Sequence, residues 1–197
     1  PCRGTPRFKR KLPERYLSPA EYRRLFAALR DAEGEFPKAV AIIRLLIFTG
    51  ARRSEIVALR WEYIKPPRLF LPDSKTGPKV IYLNRQAQAV IDALHNRSQS
   101  GLLFCCVRKT HVPFNVDPIW RILRKRAALP DVRMHDLRHS FASVAIRDDI
   151  SLTVIGKLLG HSLPETTARY AHLADDAVMD AASRICSSIA SAMGVKG

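Results

Sequence analysis

The sequence predicts a mainly α-helical domain carrying one small antiparallel β-sheet, an α+β fold. Three observations predict it. Apolar residues recur at helical spacing through most of the chain, as in Tyr22, Leu25, Phe26 and Leu29. The period shortens to two only near residues 68–83, where Arg68-Leu69-Phe70-Leu71 and Lys79-Val80-Ile81-Tyr82-Leu83 flank the turn Asp73-Ser74-Lys75-Thr76-Gly77-Pro78. A chain of 197 residues, 47% hydrophobic, is one ordinary domain with enough apolar side chains for a real core.

Residues 1–17 are basic, contain proline and show no periodicity, so they read as a linker from something upstream. The first helix starts at Ser18-Pro19-Ala20-Glu21, where Ser18 caps, Pro19 fits the first helical position and Glu21 completes a capping box. Residues 39–50, AVAIIRLLIFTG, are apolar nearly all round and predict a buried helix that Gly50 ends. A second start follows at once, with Arg52 near the first turn of RRSEIVALRW. An arginine beside a helix N-terminus directs two sources of positive potential at one spot, which suits an anion. Trp61 to Ile64 is a candidate third strand. Helices are then expected near 85–96, 115–128, 135–148, 151–159, 164–170 and 175–192. No internal repeat or low-complexity tract interrupts them.

The net charge of +15 and the pI near 10.3 favour a polyanionic partner, with nucleic acid the leading candidate. The charge is uneven. Residues 1–30 carry nine Lys/Arg against two Glu, whereas residues 141–197 carry five basic residues against six acidic ones. One end looks made for phosphates and the other for protein contacts. Cys2, Cys105, Cys106 and Cys186 form no CxxC pair and no metal spacing, which reads as reduced thiols in the cytoplasm or nucleoid. No apolar run approaches the ~18 residues that span a bilayer. No signal peptide is expected either, because PCRGTPRFKRK has no apolar stretch.

Two clusters carry chemistry. On the helix expected at 135–148, His135, Arg138 and His139 share a face, with Leu137, Phe141 and Val144 opposite. The polar side is expected to look onto a cleft or solvent. A simple polar face, with Asp136 neutralising Arg138, is the alternative. His135 and His139 also have the spacing of the HExxH zinc motif, but position 136 is Asp, an arginine lies between them and no third ligand is evident. No metal and no cofactor are expected. In the second cluster, Gly160 suits a left-handed helix end. Ser162-Leu163-Pro164-Glu165 reads as a capping box, which puts His161 on a loop and Tyr170 about two turns into the next helix.

Taken in order, TGARRSEI, LRW, SKTG, HDLRHSFAS, LLGHS and TARYAHL resemble the catalytic domain of tyrosine recombinases, the phage integrase family. Each piece is weak alone; the ordered set, from about Tyr16 to Leu173, is specific. The resemblance implies that family's catalytic-domain fold over residues 18–174. It implies Tyr170 as nucleophile, Arg52 and Arg138 as a phosphate clamp, and Lys75 as general acid. It also implies His135 assisting proton transfer and His161 against the phosphate. A helical DNA-clasping domain would precede the linker at 1–17. The resemblance further implies double-stranded DNA attachment sites as substrate, a DNA-bound tetramer, and accessory DNA-bending proteins as candidate partners. The tail 175–197 would contact a neighbouring protomer.

The physical chemistry runs the same way. A phenol with an ordinary pKa near ~10 needs a base and nearby cations to lose its proton as it attacks. Two guanidiniums can bracket non-bridging oxygens, and a lysine can protonate the leaving 5′-oxygen. A phosphotyrosine keeps the bond energy, so strands can be exchanged without metal or ATP. The expected function is a site-specific recombinase, the integrase of a prophage or mobile element. A type IB topoisomerase-like or dimer-resolving enzyme with the same chemistry, or a catalytically silent DNA-binding regulator, is the alternative.

Overall fold

Eight α-helices and three short strands make up a computed structural model that describes residues 15–74, 77–94, 100–106, 109–161, 164–168, 170, 185, 186 and 189. The turn residue Lys75, the Ser162-Leu163 half of the second capping box, and nearly all of the expected helix at 175–192 lie outside them. So do the first 14 residues of the expected linker. Its last three pack on the domain: Leu17 is buried and donates its N–H to Ser140 Oγ at 2.9 Å, while Arg15 bonds Glu21 and Asp131.

α1 (Pro19–Asp31) begins with the expected box. Ser18 Oγ accepts the Glu21 N–H, and Glu21 Oε2 accepts the Ser18 N–H at 2.8 Å. α2 (Pro37–Thr49) is buried over most of its circumference: Ala39, Val40, Ile42, Ile43, Leu45 and Leu46 are all at most 2% exposed. It is the central helix, packed by the helices Arg85–Asp92 and Met134–Arg147. Gly50 ends it at φ 62°, and a Cβ there would sit 2.7 Å from the Phe141 ring, so both conformation and space require glycine.

α3 (Arg53–Val57) is only five residues long, shorter than RRSEIVALRW suggests. The chain leaves the helix because Leu59 is needed in the core, where its carbonyl accepts the Leu103 N–H at 2.7 Å. Trp61 then donates its N–H to the Gly101 carbonyl. The expected third strand is displaced accordingly. Trp61–Tyr63 form a 3₁₀ turn, and β1 is Ile64–Lys65.

β1, β2 (Arg68–Leu71) and β3 (Lys79–Tyr82) form an antiparallel sheet in that order. Leu69 faces Ile81, and Leu71 faces Lys79. Leu69, Leu71 and Ile81 point inward, as strand alternation requires. Lys79 points inward with them. On the opposite face, Lys65 lies over the Phe70 ring and Arg68 over the Tyr82 ring.

The later helices are α4 (Arg85–Asp92), α5 (Asp117–Arg126), α6 (Met134–Arg147), α7 (Leu152–Leu159) and α8 (Pro164–Ala168). α6 departs from one expectation in part. His135 is exposed and Leu137 buried, as expected, but Arg138 and His139 are buried, whereas Phe141 and Val144 are partly exposed and line an open apolar groove with Tyr22, Phe48 and Ile150. Arg138 and His139 turn inward because the chain offers them partners there. A second apolar cluster of Ala142, Ile146, Ile155, Leu159 and Tyr170 joins α6 to α7. No helix among the described residues is long and apolar enough to cross a membrane.

Candidate active site

Arg138 is 4% exposed, and its position follows from two helix ends. Nη1 donates to the carbonyl of Gly50, just past α2, and Nη2 to that of Leu159, the last residue of α7, each at 2.8 Å. Terminal carbonyls of a helix lack partners within it and carry its negative end. One guanidinium therefore satisfies two such ends and fixes its own plane. Burial, then the nearby Arg52 charge, lower its pKa to about 10, with Glu55 and Tyr170 pulling the other way. It remains a cation at neutral pH. Asp136, the alternative partner for Arg138, is committed elsewhere: it accepts from the Arg133 guanidinium at 2.6 Å and from the Arg133 N–H at 2.7 Å.

Arg52 caps α3. Its N–H donates to Glu55 Oε2 at 2.8 Å, and its Nη1 to Glu55 Oε1 at 2.9 Å. Glu55 is buried and also accepts from Lys79 Nζ at 2.7 Å. Both side chains of the Glu55–Lys79 pair are 4% exposed. Burial alone would raise the Glu55 carboxyl, but Lys79 and Arg52 outweigh it and hold the group below the usual carboxylate range. Burial brings Lys79 down to about 8 against the pull of Glu55. The stem of Lys79 runs directly beneath Gly160, where a Cβ would collide with its Cδ and Cε. Gly160 has φ +66° and ends α7. The inward lysine thus joins the sheet, α3 and the turn that carries His161.

His161 follows that turn. Its Nδ1 lies 2.8 Å from Thr167 Oγ1, and Thr167 is buried against Gly156 of α7. α8 stops at Ala168, so Tyr170 stands in a turn rather than two turns into a helix, with its N–H bonded to the Thr167 carbonyl. Its ring is 2% exposed, packed in the α6–α7 cluster. Its hydroxyl lies 2.8 Å from Nδ1 of His139, which is 5% exposed. His135, one turn earlier on α6, meets the His139 ring edge-on with centroids 4.7 Å apart. Burial, then the His139 and Arg138 charges, lower the His135 pKa to about 4, so it is neutral at physiological pH.

The fold therefore gathers Arg52, Arg138, His135 and Tyr170 about one end of α6, with His161 on the turn beside them. Lys75 falls outside the described residues. Sequence reasoning passed over Glu55, Lys79, Thr167 and the contact of His139 with Tyr170. For Lys79 a signal existed, since strand alternation puts it on the face of Ile81. For Glu55, three residues after Arg52, the spacing of a capping box was the signal.

Residues 15–177 match the family model described as the phage integrase family. The integrase of Escherichia phage P2 is 35% identical over 189 residues, covering 93% of this chain and 50% of its own length. A tyrosine recombinase of Thermosipho africanus (strain TCF52B) is 31% identical over 187 residues, covering 91% of this chain and 64% of its own length. The crystal structure of XerA recombinase superposes with a TM-score of 0.67 at 25% identity, covering 89% of this chain and 64% of that one. The chain thus spans between half and two thirds of the length of these proteins.

Proposed function

Because the chain belongs to the phage integrase family, we propose that it is the catalytic domain of a site-specific DNA recombinase that cuts and rejoins DNA through a 3′-phosphotyrosine. The observation that carries the reading is the convergence at α6 of two arginines, two histidines and a tyrosine hydroxyl, of which Arg138, His139 and Tyr170 are buried and hydrogen-bonded. Integrases and recombinases are what the chain resembles, so a topoisomerase-like role is not favoured.

Tyr170 attacks the scissile phosphorus. Arg52 and Arg138 hold the non-bridging oxygens where charge grows in the pentavalent transition state. Arg138 keeps N–H groups for this, because its two bonds to carbonyls use only one on each terminal nitrogen. Glu55 braces Arg52 on one side, so its guanidinium is pre-oriented without a DNA partner. Lys75 protonates the leaving 5′-oxygen, His135 assists proton transfer, and His161 hydrogen-bonds the phosphate. The phosphotyrosine is then resolved by the 5′-hydroxyl of another strand. Its substrates are double-stranded attachment sites, brought together in a tetramer with DNA-bending accessory proteins, and residues 175–197 contact the neighbouring protomer. Residues 1–17 link this domain to a DNA-clasping one. Its place of action is the nucleoid.

Covalent trapping tests the reading. The full-length protein is incubated with nicked suicide duplexes drawn from the DNA flanking its gene, and adducts are resolved on a denaturing gel. An adduct that vanishes in Tyr170→Phe is expected. Tight, specific binding of the same DNA with no adduct would sink the reading.

A further inference from the structure

The reaction needs an acceptor for the Tyr170 proton, and the Tyr170 hydroxyl lies 2.8 Å from Nδ1 of His139, a residue given no role above. We infer that His139 is the general base: its Nδ1 takes the phenolic proton as Tyr170 attacks. This rests on the recombinase reading of the same site.

The geometry meets what a base requires. The Nδ1–hydroxyl separation of 2.8 Å is already a proton-transfer distance. Both partners are almost fully buried, so the hydrogen bond is shielded from competing water. His139 sits on a rigid helix one residue from Arg138, which has Tyr170 and Arg52 within electrostatic reach. The base and the clamp are therefore set by one backbone segment. The ring is also fixed laterally by the edge of His135. Among the described residues, the titratable groups around the pair include His135, Asp136 and Arg138 on α6, with Arg52 at the start of α3 and Glu55 within it facing Arg138. Asp136 is held by Arg133, and Glu55 by Arg52 and Lys79.

The step balances. The phenolic O–H breaks and its proton moves to Nδ1, leaving an imidazolium whose Nε2 already carries hydrogen. The Tyr170 oxygen bonds to phosphorus of a DNA phosphodiester, the bond from phosphorus to the 5′-oxygen breaks, and that oxygen takes a proton from the general acid. In the reverse step the imidazolium returns its proton to the departing phenolate.

His139→Asn separates base from bystander, because its amide still offers a hydrogen bond near Nδ1 but cannot take a proton. Single-turnover adduct formation on suicide duplexes is the readout, alongside thermal melting. A loss of about 10²–10⁴-fold in rate is expected, the range for a removed general base, with DNA binding kept. A substrate whose bridging 5′-oxygen is sulfur expels a thiolate that needs no proton, and it should leave the His139→Asn defect in place. A second measurement needs no variant: ¹⁵N spectra of wild-type His139 should show Nδ1 bare and Nε2 protonated. A rate within about threefold of wild type, rescue by the sulfur substrate, or a proton resident on Nδ1 would each overturn the inference while leaving the recombinase reading intact. Absence of any wild-type adduct on DNA that binds tightly and specifically overturns both.

Discussion

Lys79 and Glu55 form an ion pair 2.7 Å long in which both side chains are 4% exposed. Its value lies in what it holds: Glu55 in turn fixes Arg52. Breaking a buried pair from one side leaves a charge stranded, at a cost of about 3–5 kcal/mol. Lys79→Met should therefore lower stability by about 3 kcal/mol, seen in the denaturant midpoint. The double variant Lys79→Met, Glu55→Leu should regain much of that stability, yet form adduct far more slowly, because Arg52 has lost its brace. A double variant with wild-type cleavage would remove Glu55 from the site.

Arg138→Lys tests the helix-end clamp and the phosphate clamp together. Lysine keeps the charge but cannot reach both Gly50 and Leu159 with a planar fork. We expect cleavage to fall by orders of magnitude, DNA binding to change little, and stability to drop by about 2 kcal/mol from the carbonyl left unpaired. Cleavage within tenfold of wild type would exclude Arg138 from the phosphate.

Gly160→Ala should be costly although it adds one methyl. The φ of +66° disfavours alanine, and the Cβ would strike the Lys79 stem. A loss of about 2 kcal/mol is expected, with slower cleavage, since His161 follows this turn. Substituting the exposed Gly34, whose Cβ would meet nothing within 4 Å, is the control and should be near neutral.

His135 gives stability a pH dependence of definite sign. Its pKa is about 4 in the folded protein against 6.5 for the ordinary side chain. Between those values the unfolded chain binds a proton that the folded one does not, so stability rises with pH from 4 to 6.5. Allowing for its partial exposure, the contribution is about 2 kcal/mol. His135→Gln should flatten that limb in melts across the window. An unchanged slope would mean that another group sets it.

Much of this was legible in the sequence. The Ser18 box, the buried α2, the hairpin strands and the glycines that end α2 and α7 all follow from local rules, because capping, periodicity and φ > 0 are decided by neighbours in sequence. What escaped depends on who meets whom. α6 has polar residues on one face, and amphipathic logic turns that face to water. The fold leaves His135 exposed but turns Arg138 and His139 inward, because Gly50, Leu159 and Tyr170 wait there with partners. α3 stops early because Leu59, just past it, accepts the N–H of Leu103 beside the Arg60–Leu102 bridge, a partner far along the sequence. Tyr170 is core residue and proposed nucleophile at once, a combination that no local pattern encodes.

The two carbonyls on Arg138 carry a consequence for descent. A copy of this gene released from selection for the proposed chemistry would still lose stability without that guanidinium, and it would retain Arg138 for reasons unrelated to chemistry. Among relatives, survival of this arginine is thus poor testimony to activity. Under the proposed recombinase reading, a more informative letter is Arg52, whose side chain pairs with the one carboxylate of Glu55 rather than with two helix ends.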